Sequence, residues 1–78
     1  MHILIIGAAG MVGRKLSERL TKDGSLDGKP IEALTLVDVV TPQAPAGFTG
    51  QVTLETGDLS APGTAEKLIA RRPDVIFH

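Results

Sequence analysis

Three glycines at a regular spacing follow an apolar run near the start of the chain, and this arrangement limits the possible folds most. The run His2 to Ile6 reads HILII, and the glycines are Gly7, Gly10 and Gly13. A continuous β-branched and aliphatic run of this length is typical of a strand buried on both faces of a parallel sheet. From Met11 onward the apolar residues recur at helical spacing. The sequence therefore predicts a strand, a tight glycine turn and a helix in immediate succession.

The rest of the chain continues the alternation of strands and helices. The predicted elements are a helix from Met11 to a stop at Gly24, a turn-rich connection from Gly24 to Pro30, a strand from Ala33 that ends near Asp38, a loop from Thr41 to Gly50, a weaker strand from Gln51 to Thr56, a helix that starts near Pro62 and ends before Pro73, and a strand from Asp74 to His78. This order predicts an α/β fold, the first part of a Rossmann fold. We expect a parallel sheet with strand order 3-2-1-4.

Each predicted helix has an apolar side that we expect to face the sheet. The expected inward residues are Val12, Leu16 and Leu20 in the first helix and Ala65, Leu68 and Ile69 in the second. Ser60 is the expected N-cap of the second helix, because a serine hydroxyl can accept a hydrogen bond from an N–H of the first turn.

The glycine turn has the residues that a phosphate-binding turn requires. Gly7 permits a tight turn after the strand, Gly10 lets a pyrophosphate approach the backbone, and Gly13 lets the helix pack closely on the sheet. The N–H groups around Met11 and Val12 have no partner within the helix, so they can bind an anion. The sequence predicts that this turn holds the pyrophosphate of a dinucleotide; the alternative is a glycine turn without a ligand.

Asp38 stands at the end of the second strand of the predicted sheet. A carboxylate there can accept hydrogen bonds from both ribose hydroxyls of an adenosine and would repel a 2′-phosphate. The residues that follow are Val39 and Val40, not arginine, so NAD is favoured over NADP. The alternative is a solvated aspartate at a strand end.

Asp58 and Leu59 lie in the turn after the third strand. The carboxylate can accept a hydrogen bond from the amino group of an adenine, and Leu59 can lie on the ring. The alternative for Asp58 is that it helps to cap the helix that follows.

Composition excludes several classes of function. The net charge of -1 gives no general attraction for nucleic acid, and the first apolar run is far too short for a membrane span. The chain has no cysteine, which fits a cytoplasmic location, and no tyrosine, so it cannot supply a phenolic acid or base. We interpret His2, Arg14 and His78 as structural or exposed residues, with no metal-ligand spacing between the histidines.

These motifs, taken in order, resemble the start of a known family. The segments HILIIGAAGMVGRKL, LTLVDVV, GDLS and RPDVIFH are similar to the extended short-chain dehydrogenase/reductases of the NAD-dependent epimerase/dehydratase group. The resemblance implies cofactor contacts at the eight residues Gly7, Gly10, Met11, Val12, Gly13, Asp38, Asp58 and Leu59. The Y-x-x-x-K motif of the family is not in this chain, which has no tyrosine. We therefore expect residues 1–78 to be the N-terminal portion of an NAD(P)-binding Rossmann domain, without a catalytic residue and without the substrate domain.

The resemblance also implies an activity for the parent protein. The leading hypothesis is an oxidoreductase that transfers a hydride between NAD and a secondary alcohol of a small sugar acid. A nucleotide-sugar epimerase or dehydratase, a non-catalytic dinucleotide sensor and a small interaction domain are the alternatives. Because two short helices must cover four strands, we also expect the chain to form a homo-oligomer.

Overall fold

A four-stranded sheet with one helix on each face forms the body of the molecule. The computed structural model describes residues 1–78. Its elements are β1 (His2–Ile6), α1 (Met11–Asp23), β2 (Ser25–Leu26), β3 (Lys29–Pro30), β4 (Ala33–Asp38), β5 (Gln51–Thr56), α2 (Thr64–Ile69) and β6 (Val75–Phe77).

The main sheet has the order β5-β4-β1-β6, and all of its neighbouring strands are parallel. This is the predicted order 3-2-1-4, and the predicted α/β fold is confirmed. In the register of the sheet, Leu34 lies between Ile3 of β1 and Val52 of β5. Parallel strands point their carboxyl ends to one edge, so the residues after β1, β4, β5 and β6 meet there.

Side chains alternate between the two faces of the sheet and form two apolar clusters. The larger cluster, on the α1 side, consists of Ile3, Ile5, Ala8, Leu20, Ile31, Leu34 and Leu36, with Leu16, Phe48, Val52 and Phe77 among the half-buried side chains around it. The smaller cluster, on the α2 side, consists of Leu4, Val37 and Leu68, with Ile6 and Leu59 beside them. The strand β1 is thus buried on both faces, as its continuous apolar run predicts.

The helix α1 packs on the sheet through a face that includes small residues. Its buried residues are Gly13, Ser17 and Leu20. The expectation that Val12 faces the sheet is wrong, because its side chain is 81% exposed. The reason is the close approach of the helix at Gly13, which turns the neighbouring Val12 toward solvent.

The connection after α1 is more regular than the sequence predicts. Gly24 ends the helix in a left-handed conformation, as expected, and its N–H donates to the Leu20 carbonyl. The segment predicted as a turn-rich connection then forms an antiparallel hairpin of β2 and β3. Asp27 and Gly28 both have positive φ between these strands, as a two-residue turn of type I′ requires.

The helix α2 is shorter than predicted and begins later. Its N-cap is Gly63, with φ of 84°, and no side chain caps the helix, so the expected role of Ser60 as N-cap is wrong. Only Leu68 of the three expected inward residues is buried; Ala65 is exposed, and Ile69 is 55% exposed. Neither α1 nor α2 combines the length and the apolar character needed to cross a membrane.

We predict that Gly13→Ala destabilises the chain and that Gly10→Ala changes its stability much less. A Cβ at Gly13 would overlap the Gly7 carbonyl oxygen and lie 2.8 Å from the Cα of Ala8. Alanine gains up to about 1 kcal/mol in helix propensity. Displacing this backbone contact outweighs that gain, so we expect a net loss of about 1–3 kcal/mol in the free energy of unfolding.

Urea unfolding followed by circular dichroism measures this difference. The Gly10→Ala variant is the matched control, because the nearest atom to its Cβ would be the Gly7 carbonyl oxygen at 3.4 Å. If Gly13→Ala unfolds at the same urea concentration as the natural chain, α1 does not pack against the glycine turn as described.

Candidate functional site

The glycine turn is attached to the carboxyl end of β4. The φ of Gly7 is +83°, a left-handed conformation that turns the chain sharply after β1. The N–H groups of Gly7 and Ala8 both donate to the Val37 carbonyl, at 2.8 and 3.1 Å. The Gly10 N–H then donates to the Gly7 carbonyl at 3.1 Å, which closes the turn. These bonds fix where α1 starts relative to the edge of the sheet.

Three backbone amides at the start of α1 have no acceptor within the chain. The first helical hydrogen bond runs from the Arg14 N–H to the Gly10 carbonyl at 2.9 Å. The N–H groups of Met11, Val12 and Gly13 precede it, and they donate neither to backbone nor to a side chain. Unpaired amides and the helix dipole together favour an anion at this position. The predicted pyrophosphate turn therefore has the donors that it requires.

Asp38 lies beside the glycine turn, as its position at the end of β4 predicts. Its Oδ2 accepts a hydrogen bond from the Ala9 N–H at 2.9 Å, and its Oδ1 accepts one from the Val39 N–H at 2.6 Å. A carboxylate offers about four lone-pair positions, so two hydroxyl groups can still bind. The side chain is half-buried. It is therefore a fixed acceptor next to the unpaired amides.

Asp58 begins a tight turn of its own and does not cap α2. Its Oδ1 accepts a hydrogen bond from the Ser60 N–H at 2.9 Å, and the N-cap of α2 is Gly63. The capping alternative for Asp58 is thus wrong. The hydrogen bond from the backbone amide of Ser60, and to a smaller extent the one from its side chain, lower the pKa of Asp58 below its ordinary value. The carboxylate is therefore ionised at neutral pH and acts as an acceptor.

Two cavities border Gly7 at this edge of the sheet. One, of 210 Å³, is lined by residues that include Gly7, Asp38, Asp58 and Leu59. The other, of 340 Å³, lies on the α1 side and is lined by residues that include Gly7, Val12, Gly13 and Phe77. Of the eight predicted site residues, six line these two cavities. Met11 borders a separate groove beside Arg14, and Gly10 lines none of the cavities.

His78 and Ala9 also border the candidate site, although the sequence does not predict them there. His78 follows β6 and lines both cavities that border Gly7. The sequence does contain a signal for this placement, because His78 ends a predicted parallel strand, and the carboxyl ends of parallel strands lie at the same edge of the sheet. Ala9 contributes its backbone N–H to Asp38, and no sequence pattern indicates this contact. Arg14, predicted as an exposed helix residue, lines a further cavity of 200 Å³ that also borders Ala9.

The residues at this edge fit a dinucleotide. The start of α1 lies so close to the turn that the backbone of Gly7 and Ala8 leaves no space for a Cβ at Gly13. The unpaired amides of Met11, Val12 and Gly13 suit a diphosphate, and the Asp38 carboxylate beside them suits the hydroxyls of a ribose. Donors for an anion and an acceptor for hydroxyls thus lie close together, because Asp38 accepts from Ala9, two residues before Met11.

Comparison with known proteins agrees with this arrangement. The NAD dependent epimerase/dehydratase family matches residues 3–78 of the chain. The chain belongs to this family. The resemblance expected from the sequence motifs is therefore confirmed, and a nicotinamide dinucleotide is the cofactor of the family.

Two known proteins are similar to this chain over its whole length. D-erythronate dehydrogenase from Cupriavidus necator is 40% identical over 82 aligned residues, which cover 100% of this chain and 25% of that protein. The crystal structure of a nucleoside-diphosphate-sugar epimerase from Agrobacterium tumefaciens is similar with a TM-score of 0.98 and 70% identity. That match covers 100% of this chain and 23% of the other. The chain thus spans about a quarter of the length of these relatives.

Proposed function

We propose that this chain is the N-terminal, cofactor-binding portion of an NAD-dependent oxidoreductase. The observation that carries the proposal is the group of three unpaired amides at the start of α1 beside the Asp38 carboxylate. The pyrophosphate would be held by Gly7, Gly10, Met11, Val12 and Gly13, the adenosine ribose by Asp38, and the adenine by Asp58 and Leu59. The lengths of the relatives, about four times that of this chain, support a larger parent protein.

The proposed preference for NAD over NADP rests on the charge of Asp38. Its carboxylate is held by the amides of Ala9 and Val39, so it cannot easily turn away from a ligand. A 2′-phosphate placed on the neighbouring ribose would bring two negative charges into contact. Arg14 lines a cavity near Ala9 and has no ion-pair partner, so it is the residue that could offset this repulsion.

The reaction itself is proposed for the parent protein. A bound nicotinamide dinucleotide supplies a group that accepts or returns a hydride. This chain contributes binding and orientation, and we assign no catalytic residue within it. The similarity to D-erythronate dehydrogenase favours oxidation of a secondary alcohol of a small sugar acid. The similarity to a nucleoside-diphosphate-sugar epimerase favours a nucleotide sugar as the second candidate substrate.

A substrate assay on the parent protein separates these two candidates. With D-erythronate and NAD, a dehydrogenase forms NADH in proportion to the substrate consumed. An epimerase interconverts a nucleoside-diphosphate sugar without net NADH. We expect the first result; epimerisation of the nucleotide sugar with no NADH from D-erythronate would replace the leading candidate by the second.

We predict that Asp38→Ala weakens NAD binding and reduces the discrimination against NADP. Hydrogen bonds to a carboxylate contribute about 1.5–3 kcal/mol, which corresponds to a roughly 10- to 100-fold loss of NAD affinity. The NADP affinity should fall less or rise, because the variant also removes the repulsion of the 2′-phosphate. Isothermal titration of both dinucleotides into the natural chain and the variant measures the four affinities.

Asp23→Ala is the matched control for this titration. Asp23 is an exposed carboxylate at the end of α1, where it pairs with Arg19, far along the helix from the glycine turn. Removing it changes the net charge by the same amount as Asp38→Ala does, and we expect no change in the ratio of the NAD and NADP affinities. Equal NAD affinities of the natural chain and Asp38→Ala would remove Asp38 from the proposed site.

A further inference from the structure

The glycine turn is held by β4 through three successive amides, and only one of these bonds depends on a side chain. Gly7 and Ala8 donate to the Val37 carbonyl, which any residue at that position would offer. Ala9 donates to Oδ2 of Asp38 at 2.9 Å. Ala9 is half-buried, and its N–H has no other acceptor in the chain. The last hydrogen bond between the turn and β4 before α1 begins is therefore the one that the Asp38 carboxylate accepts from Ala9.

The start of α1 has no capping side chain of its own. Its N-cap is Gly10, which lacks a side chain, and its first turn contains no acidic residue. A helix start is usually fixed by a hydrogen bond from a capping side chain to an amide of the first turn. Here the side chain of Asp38 instead accepts from the N–H of Ala9, the residue before the N-cap. Asp38 thus fixes the backbone at Ala9, next to a helix start that no side chain caps.

The Asp38 side chain is itself held in one orientation. Its second oxygen, Oδ1, accepts a hydrogen bond from the Val39 N–H at 2.6 Å. The residue also continues the sheet, because its backbone carbonyl accepts a hydrogen bond from the Gly57 N–H at 2.9 Å. A carboxylate fixed at both oxygens can hold Ala9 with little additional loss of side-chain freedom.

We propose that Asp38 is a positioning residue for the phosphate turn, in addition to its proposed contact with the ribose. By holding Ala9 it fixes the start of α1, and so it orients the amides of Met11, Val12 and Gly13 before a ligand arrives. This inference rests on the proposed function, because it concerns the same dinucleotide site. It adds that Asp38 contributes to the binding of a diphosphate whose ribose has no hydroxyls for it to contact.

Binding of ADP and of 2′,3′-dideoxyadenosine diphosphate tests the positioning role. If Asp38 contacts only the ribose, Asp38→Ala weakens the binding of ADP, and it leaves the binding of the dideoxy compound unchanged or strengthens it by removing a negative charge. If Asp38 is a positioning residue, Asp38→Ala weakens the binding of both compounds. For the dideoxy compound we expect a three- to tenfold loss of affinity, which is less than the full contribution of one hydrogen bond to a charged group. Asp38→Asn should restore part of this affinity, because an amide oxygen can still accept from Ala9. Unchanged or higher affinity of Asp38→Ala for the dideoxy compound overturns the proposal.

Amide hydrogen exchange in the absence of ligand separates this proposal from the proposed function. In Asp38→Ala the Ala9 N–H should exchange at least about tenfold faster, because it loses its acceptor. Asp58→Ala is the control, since Asp58 accepts from Ser60 and not from the turn. Equal exchange of Ala9 in the natural chain and Asp38→Ala overturns the positioning role. If the natural chain binds neither nucleotide, the proposed function fails, and this exchange measurement still decides the role of Asp38.

A direct measurement on the natural chain covers the case in which Asp38→Ala does not fold. A scalar coupling across the hydrogen bond, from the Ala9 nitrogen to the Asp38 Cγ, should be detectable by NMR. Its presence supports the contact at 2.9 Å, and its absence in a well-resolved spectrum overturns the proposal.

Discussion

The close contact between α1 and the turn that precedes it determines the rest of the site. Gly13 lies so near the Gly7 carbonyl and the Ala8 backbone that no side chain fits between them. This contact holds the start of α1 against the turn that follows β1. The unpaired amides of the first turn then lie at the edge of the sheet, where the ends of β4 and β5 bring their own polar residues. Packing in the core and chemistry at the edge therefore depend on one glycine.

Groups of opposite polarity lie next to each other at this edge. The start of α1 offers donors and the positive end of the helix dipole, whereas Asp38 and Asp58 offer hydrogen-bonded carboxylates. A phosphate alone would be attracted by the first group and repelled by the second. A ligand that carries a diphosphate on one side and hydroxyl or amino donors on the other satisfies both. This complementarity is the physical basis for proposing a dinucleotide instead of a simple anion.

Much of the fold could be predicted from the sequence, because strand burial and glycine turns leave strong local patterns. The bounds of β1 and β5 and the order of the sheet agree with the prediction. The buried face of α1 could not be predicted in the same way, since it includes Gly13 and Ser17, which carry no apolar signal, while the apolar Val12 is exposed. The hairpin of β2 and β3 is too short for a period to appear. At the site, residue types and spacing predict Asp38, but its bond to Ala9 joins residues that are distant in sequence and depends on the packing of the whole sheet.

The most direct measurement of the central claim is an NMR titration of the chain with ADP, followed at every backbone amide. A diphosphate at the start of α1 predicts that the largest shifts occur at Met11, Val12 and Gly13, whose N–H groups have no acceptor in the chain. The amides of the β2–β3 hairpin, which follows the far end of α1, should change little and serve as the internal reference. Largest shifts in this hairpin, or equal small shifts throughout the chain at saturating ADP, would contradict a diphosphate site at the glycine turn.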